Sequence, residues 1–196
     1  PLALTAKDYS VASPSGALKM FVSVEGTTTY TLVVNGQTVL ENCRIAMELA
    51  DGTVLGNGEV RKDTRGSRVE SINALNYRQS DFTTVYNYLS LRFEGDYTLQ
   101  VRAYDDGVAY RFVTSFPDDI TVKSETVQFN FSDRYQMYIP FIPGSDDRYR
   151  SSFESQYTVT HTIGDTRSEQ LAFLPILVKD PDFGSLLLME SDVEDY

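Results

Sequence analysis

Along most of the chain apolar and polar residues alternate with a period of two, and Gly, Asn, Asp and Pro break the alternation about every ten residues. That is the signature of half-buried strands joined by short turns. Residues 17–24 read as a strand, 25–27 as a turn and 30–34 as the returning strand. Asn35-Gly36 follows, a pair able to adopt the positive φ angles of a tight type I′ hairpin, and residues 38–40 continue beyond it. Residues 43–49 contain good helix formers, yet Ile45, Met47 and Leu49 alternate and Asp51-Gly52 offers a turn back to Val54-Leu55, so a strand is expected.

Residues 61–68 are polar, charged and interrupted by Gly66, which reads as an exposed loop. The clearest block comes next. Three alternating runs, 86–93, 97–104 and 108–116, are joined by Glu94-Gly95-Asp96 and Asp105-Asp106-Gly107, the spacing of an antiparallel meander. Leu99, Val101 and Ala103 share one face of the second run, and Val108, Tyr110 and Phe112 share one face of the third, leaving Arg102 and Arg111 on the opposite faces. Val127, Phe129 and Phe131 alternate again. After a loop-like region with Pro140, Pro143 and Gly144, strands are expected over 157–163, 171–178 and 185–190. No segment carries an amphipathic helical pattern. The expected fold is all-β, a large antiparallel sandwich, with residues 1–196 treated as one folding unit.

Composition narrows the functions. The 196 residues hold 17 Lys plus Arg against 28 Asp plus Glu, a formal charge of −11. With no basic stripe to displace counterions, nucleic acid is not an expected partner. The longest apolar run, residues 171–178, is far short of the roughly 20 residues of a membrane-spanning helix, so no membrane partner is expected either. One cysteine, Cys43, and one histidine, His161, exclude a disulfide within the chain, a Cys-rich zinc site and a multi-histidine metal site. Any metal held here must use oxygen ligands.

Most of the carboxylates read as solvating surface. Asp105-Asp106-Gly107 lacks the alternating oxygen donors of a calcium loop and reads as a hairpin turn. His161 has no nucleophile motif beside it and reads as a hydrogen-bonded structural residue, as Cys43 reads as a small buried apolar one. The final segment is the most informative: the apolar run Leu186-Leu187-Leu188-Met189 passes directly into Glu190, Asp192, Glu194 and Asp195. Such an exit is either a solvated turn or a means of offering one carboxylate, fixed at a strand end, to Ca²⁺.

Four segments carry a family resemblance. They are Ser13-Pro14-Ser15-Gly16, residues 104–112 (YDDGVAYRF), Phe153-Glu154-Ser155-Gln156-Tyr157 and residues 190–196 (ESDVEDY). In this order and at these separations the chain resembles, over nearly its whole length, the N-terminal domain of glycoside hydrolase family 97. The resemblance implies an antiparallel β-super-sandwich of the galactose mutarotase-like kind that continues past Tyr196, making this polypeptide a fragment. It implies a parent enzyme in which a (β/α)₈ barrel supplies the catalytic carboxylates and acts on an oligosaccharide or α-glycoside substrate, as an exo-acting α-glucosidase or α-galactosidase that uses Ca²⁺. In that frame this chain is inactive alone and contains no catalytic residue. Glu190 is the implied calcium ligand, Glu154 lies in a motif that faces the substrate cleft, and the parent is periplasmic or exported.

Two other functions stay open on the residues alone. A stand-alone carbohydrate-binding or interaction sandwich would bind sugar without a partner, although the absence of Trp weakens it. A mutarotase-like sugar isomerase would need an acid and a base in one cleft, for which a single histidine is thin material.

Overall fold

In the computed structural model, the residues that can be described are 7–74, 78–132, 134–142, 156–160, 171–180, 182 and 184–191. They form fourteen strands and, among these residues, no helix. The chain divides into two compact units, residues 1–130 and 131–196.

The first unit holds two antiparallel sheets. One is built from β1 (Lys7–Ala12), β2 (Leu18–Val24), β3 (Thr28–Val34), β4 (Gln37–Leu49) and the short β5 (Val54–Leu55). The other contains β6 (Val60–Asn73), β7 (Asp81–Phe93), β8 (Tyr97–Ala103) and β9 (Val108–Thr114), in the order β6-β7-β8-β9. The chain then returns to the first sheet, where β10 (Val122–Val127) pairs with β4 and completes the order β1-β2-β3-β4-β10.

Most of the expected elements are present. At the β3–β4 turn, Asn35 and Gly36 take φ values of 50° and 81°, as a type I′ hairpin requires. The two short runs expected over 38–40 and 43–49 are one strand whose pairing with β3 shifts register twice, at Val39 and at Glu41-Asn42. Tyr30 pairs with Cys43 and Leu32 with Leu40, so Glu41 and Asn42 together face Thr31, and Asn42 takes a φ of 51° to absorb the extra residue.

The loop expected over 61–68 is instead part of β6, a fourteen-residue edge strand paired along its length with β7. Both of its faces meet water for most of that length. It therefore has no reason to alternate apolar and polar residues, and its charges suit an edge that must not pair with other chains. Gly66, which argued for a loop, serves a cross-strand contact. The ring of Tyr88 lies on it so closely that a Cβ there would fall 2.8 Å from the tyrosine hydroxyl oxygen.

The core of this unit comes from the inward rows of both sheets. Met20, Val22, Leu32 and Ile45 from one and Leu89, Leu91, Leu99 and Val101 from the other are all essentially inaccessible to solvent. Phe93 and Tyr97 stack at 4.8 Å, and the buried Tyr97 hydroxyl accepts the Gly56 amide and donates to the Asn57 carbonyl. Burial pushes the Tyr97 phenol up to about 12.

The second unit holds one antiparallel sheet in the order β12-β11-β13-β14, formed by β11 (Gln136–Ile139), β12 (Thr158–Thr160), β13 (Ile176–Asp180) and β14 (Gly184–Leu188). The strand expected over 171–178 starts only at Ile176. Pro175 has no amide hydrogen to give a ladder, and among the described residues just ahead of it Ala172 makes a bridge, to Phe141. The strand expected over 185–190 ends at Leu188, and of the run expected over 157–163 residues 161–163 lie outside the described residues.

Leu91 sits in the middle of the first unit's core. Replacing Leu91 with Ala is expected to lower unfolding stability in a urea titration by about 2–5 kcal/mol. A loss under about 1 kcal/mol would mean that the two sheets do not share this core.

Candidate functional site

Glu190 lies two residues past the end of β14 and is exposed. The path that leads to it is anchored at the other end of the strand. Asp180, the last residue of β13, is a buried carboxylate; its Oδ2 lies 2.8 Å from Arg134 Nε, and its Oδ1 accepts the Asp182 amide at 2.8 Å. The same guanidinium reaches Asp182 Oδ2 through Nη1, also at 2.8 Å. One arginine therefore neutralises the buried carboxylate and closes the turn between β13 and β14. Five register pairs, from Asp180↔Gly184 to Ile176↔Leu188, then carry β14 in a fixed direction to its end.

One face of this sheet carries a row of exposed and half-buried apolar residues beside the polar row Gln136, Lys179 and Ser185. Tyr138, Leu177 and Leu187 stand side by side across β11, β13 and β14, and with Tyr157 and Pro175 they line a shallow depression of about 420 Å³. Leu187 is 50% exposed, and Met189, which follows β14 on the way to Glu190, is 70% exposed. The Tyr157 hydroxyl donates to the Pro175 carbonyl at 3.3 Å, and Lys179 lies 5.1 Å from the centre of the Tyr138 ring. Exposed Leu187 and Met189 thus lead along the chain to the exposed Glu190.

A calcium ion takes six to eight oxygens. Among the described residues no three His, Cys, Asp or Glu side chains gather into a metal cluster. Glu190 has the hard oxygen donor that Ca²⁺ prefers and could fill one position of such a shell. Glu154, the candidate for the substrate cleft, lies outside the described residues, as do His161, Asp192, Glu194 and Asp195.

Two of the segments singled out in the sequence meet in the first unit. Asp105 Oδ1 accepts the Ser15 amide at 2.8 Å, and Ser13 Oγ accepts the Leu18 amide at 3.2 Å, so the β1–β2 turn is tied to the β8–β9 turn. Asp105-Asp106-Gly107 is a hairpin turn as expected, closed by the Tyr104 amide donating to the Gly107 carbonyl at 2.8 Å. The Ser15 hydrogen bonds hold the Asp105 carboxyl below its usual range. Cys43 is buried, its sulfur accepts the Asn130 amide at 3.1 Å, and burial pushes the thiol up, away from reactivity.

Sequence reasoning missed the Arg134–Asp180–Asp182 lock. One signal was available: Val178 and Asp180 share a strand face, and an acid in register with a core valine must be paired. The apolar depression left no such trace, because Tyr138, Tyr157 and Leu187 come from segments joined only by folding.

Comparison with known proteins fits this geometry into a family. The Glycosyl-hydrolase 97 N-terminal family profile matches residues 11–196. The chain belongs to that family. A curated relative, the retaining alpha-galactosidase of Bacteroides thetaiotaomicron, is 35% identical over 97% of this chain, which spans only 30% of that protein. Among solved structures, a beta-arabinopyranosidase superposes with a TM-score of 0.77 at 22% identity, over 95% of this chain and 32% of the other. A glycoside hydrolase family 97 enzyme in complex with acarbose, from Pseudoalteromonas sp. strain K8, gives 0.71 at 20% identity, over 89% and 27%. At these identities the structures establish the fold of the glycoside hydrolase 97 N-terminal domain and no more.

The Asp105 carboxyl contributes stability above its unfolded value, and that contribution is lost as pH falls through its lower folded one. Replacing Asp105 with Asn keeps an acceptor for Ser15 and removes the titration. The melting temperature of the variant is expected to fall less steeply than that of the unaltered chain between about pH 5 and pH 3; parallel curves would show that the Ser15 contact does not form.

Proposed function

We propose that this chain is the non-catalytic N-terminal domain of a calcium-dependent, exo-acting α-glycosidase, of α-glucosidase or α-galactosidase type, that is periplasmic or exported. Its apolar face packs on a catalytic barrel carried by the same parent polypeptide, and Glu190 is its one contribution to the calcium shell. The placement of Glu190 supports the reading: an exposed carboxylate beyond a strand whose far end is locked by the ion pair of Arg134 with the buried Asp180, on a sheet with exposed apolar surface that invites cover. Family membership and the relative named as an alpha-galactosidase supply the reaction class.

In this reading the chemistry divides cleanly. The barrel provides the pair of carboxyl groups that any glycosidase of this type needs, one to protonate the leaving oxygen and one to act on the anomeric carbon directly or through water. Bound calcium would polarise the leaving glycosidic oxygen or orient the attacking water. The work of this chain is positional. β14 fixes the Glu190 carboxylate, and Tyr138, Leu177 and Leu187 exclude water from the covered face. Glu154, by its family-like motif, is the candidate substrate-binding residue.

Replacing Glu190 with Gln in the whole parent protein keeps size and polarity but removes the charge. Calcium affinity is expected to fall at least about tenfold, and hydrolysis of an aryl α-galactoside or α-glucoside to fall with it, with partial recovery at high calcium. Unchanged calcium affinity and unchanged turnover would discard the role.

A further inference from the structure

The β6–β7 hairpin outruns the rest of its sheet. β8 pairs with β7 only between Asn87 and Arg92, whereas β6 and β7 stay paired out to Asn73 and Asp81. The six pairs from Arg68↔Tyr86 to Asn73↔Asp81 therefore form a two-stranded ribbon beyond the edge of β8. Such a ribbon is marginal in water when nothing supports it.

This one is fastened at both ends. At its base the Tyr86 hydroxyl donates to the Glu70 carboxylate, and Arg102 Nη1 lies 3.4 Å from that carboxylate and from the Tyr104 hydroxyl. The Arg102 guanidinium also sits 4.5 Å from the centre of the Tyr86 ring, which packs 5.0 Å from Tyr104. At the tip Asn73 Nδ2 donates to Asp81 Oδ1 at 3.0 Å, and the Ala74 amide donates to the Ser80 carbonyl at 2.6 Å. Between these fastenings Val69 and Val85 face each other across the strands while 68% and 45% exposed, and Ile72, on the other face, is 49% exposed.

From this we infer that the ribbon is a preformed docking arm whose Val69–Val85 pair is buried by the remainder of the parent polypeptide. An arm already held in its bound shape loses little conformational freedom on docking, and an opposed valine pair left in water is apolar area waiting for a partner. A second copy of the chain is the poorer occupant. The free edge of β6 carries Arg61, Lys62, Arg65 and Arg68, and such charges oppose strand-to-strand pairing between copies. A parent of the relative's length supplies a large body to dock on, since this chain spans only 30% of that protein. The inference rests on the reading that this chain is one domain of a longer enzyme.

The test compares hydrogen exchange over residues 68–86 in the 196-residue chain and in the protein encoded by the whole reading frame. The ribbon amides are expected to exchange at least about tenfold more slowly in the longer protein. The double substitution Val69→Lys with Val85→Glu keeps a favourable cross-strand pair while removing the apolar surface. It is expected to leave the melting temperature of the 196-residue chain unchanged and to abolish the added protection. Equal exchange in both proteins overturns the inference, as does a reading frame with no further module, or dimerisation of the shorter chain that the double substitution prevents. The two readings fail separately: hydrolysis with an unprotected ribbon sinks the arm alone, and a protected ribbon without hydrolysis sinks the enzyme reading alone.

Discussion

The second unit depends on one buried charge. Asp180 is out of water at the end of β13, and a buried carboxylate needs a partner close enough to repay its lost hydration. Arg134 is that partner, and because its guanidinium is a fork it also takes hold of Asp182. The pair ties the turn, β14 runs back from it in register with β13 as far as Leu188, and Glu190 follows two residues beyond.

The same device recurs in the first unit. Glu70 and Arg102 pin the ribbon to the sheet, and Asp105 ties two turns together by accepting a backbone amide. Each is a partly exposed polar contact of the kind that adds little to global stability. Their value lies in direction. The shared core of Leu89, Leu91, Leu99 and their partners holds the fold, and the polar fastenings aim its projecting parts.

How much of this the sequence revealed follows from what each residue faces. Strands with one buried side announced themselves: β2, β3, β8 and β9 lie where alternation put them, and the Asn35-Gly36 turn has the backbone it was expected to have. β6 left no such mark because neither of its sides is covered for most of its length, so its pairing with β7 is written in backbone hydrogen bonds that any polar sequence can make. The edges of β13 and β14 shifted because Pro175 cannot join a ladder and because the last residues before Glu190 leave the sheet. Of the candidate site, Glu190 was named from the acidic exit together with the family motif, whereas the Arg134 lock and the apolar depression arise from residues dozens of positions apart.

The central claim is that Glu190 is one ligand of a calcium ion whose shell is completed outside this chain. It is tested most directly by locating calcium, from its anomalous scattering, in crystals of the whole parent protein. The account predicts a Glu190 carboxylate oxygen about 2.3–2.6 Å from the ion, with the remaining ligands from the catalytic module. A calcium shell complete without Glu190, or no calcium near the end of β14, would contradict it.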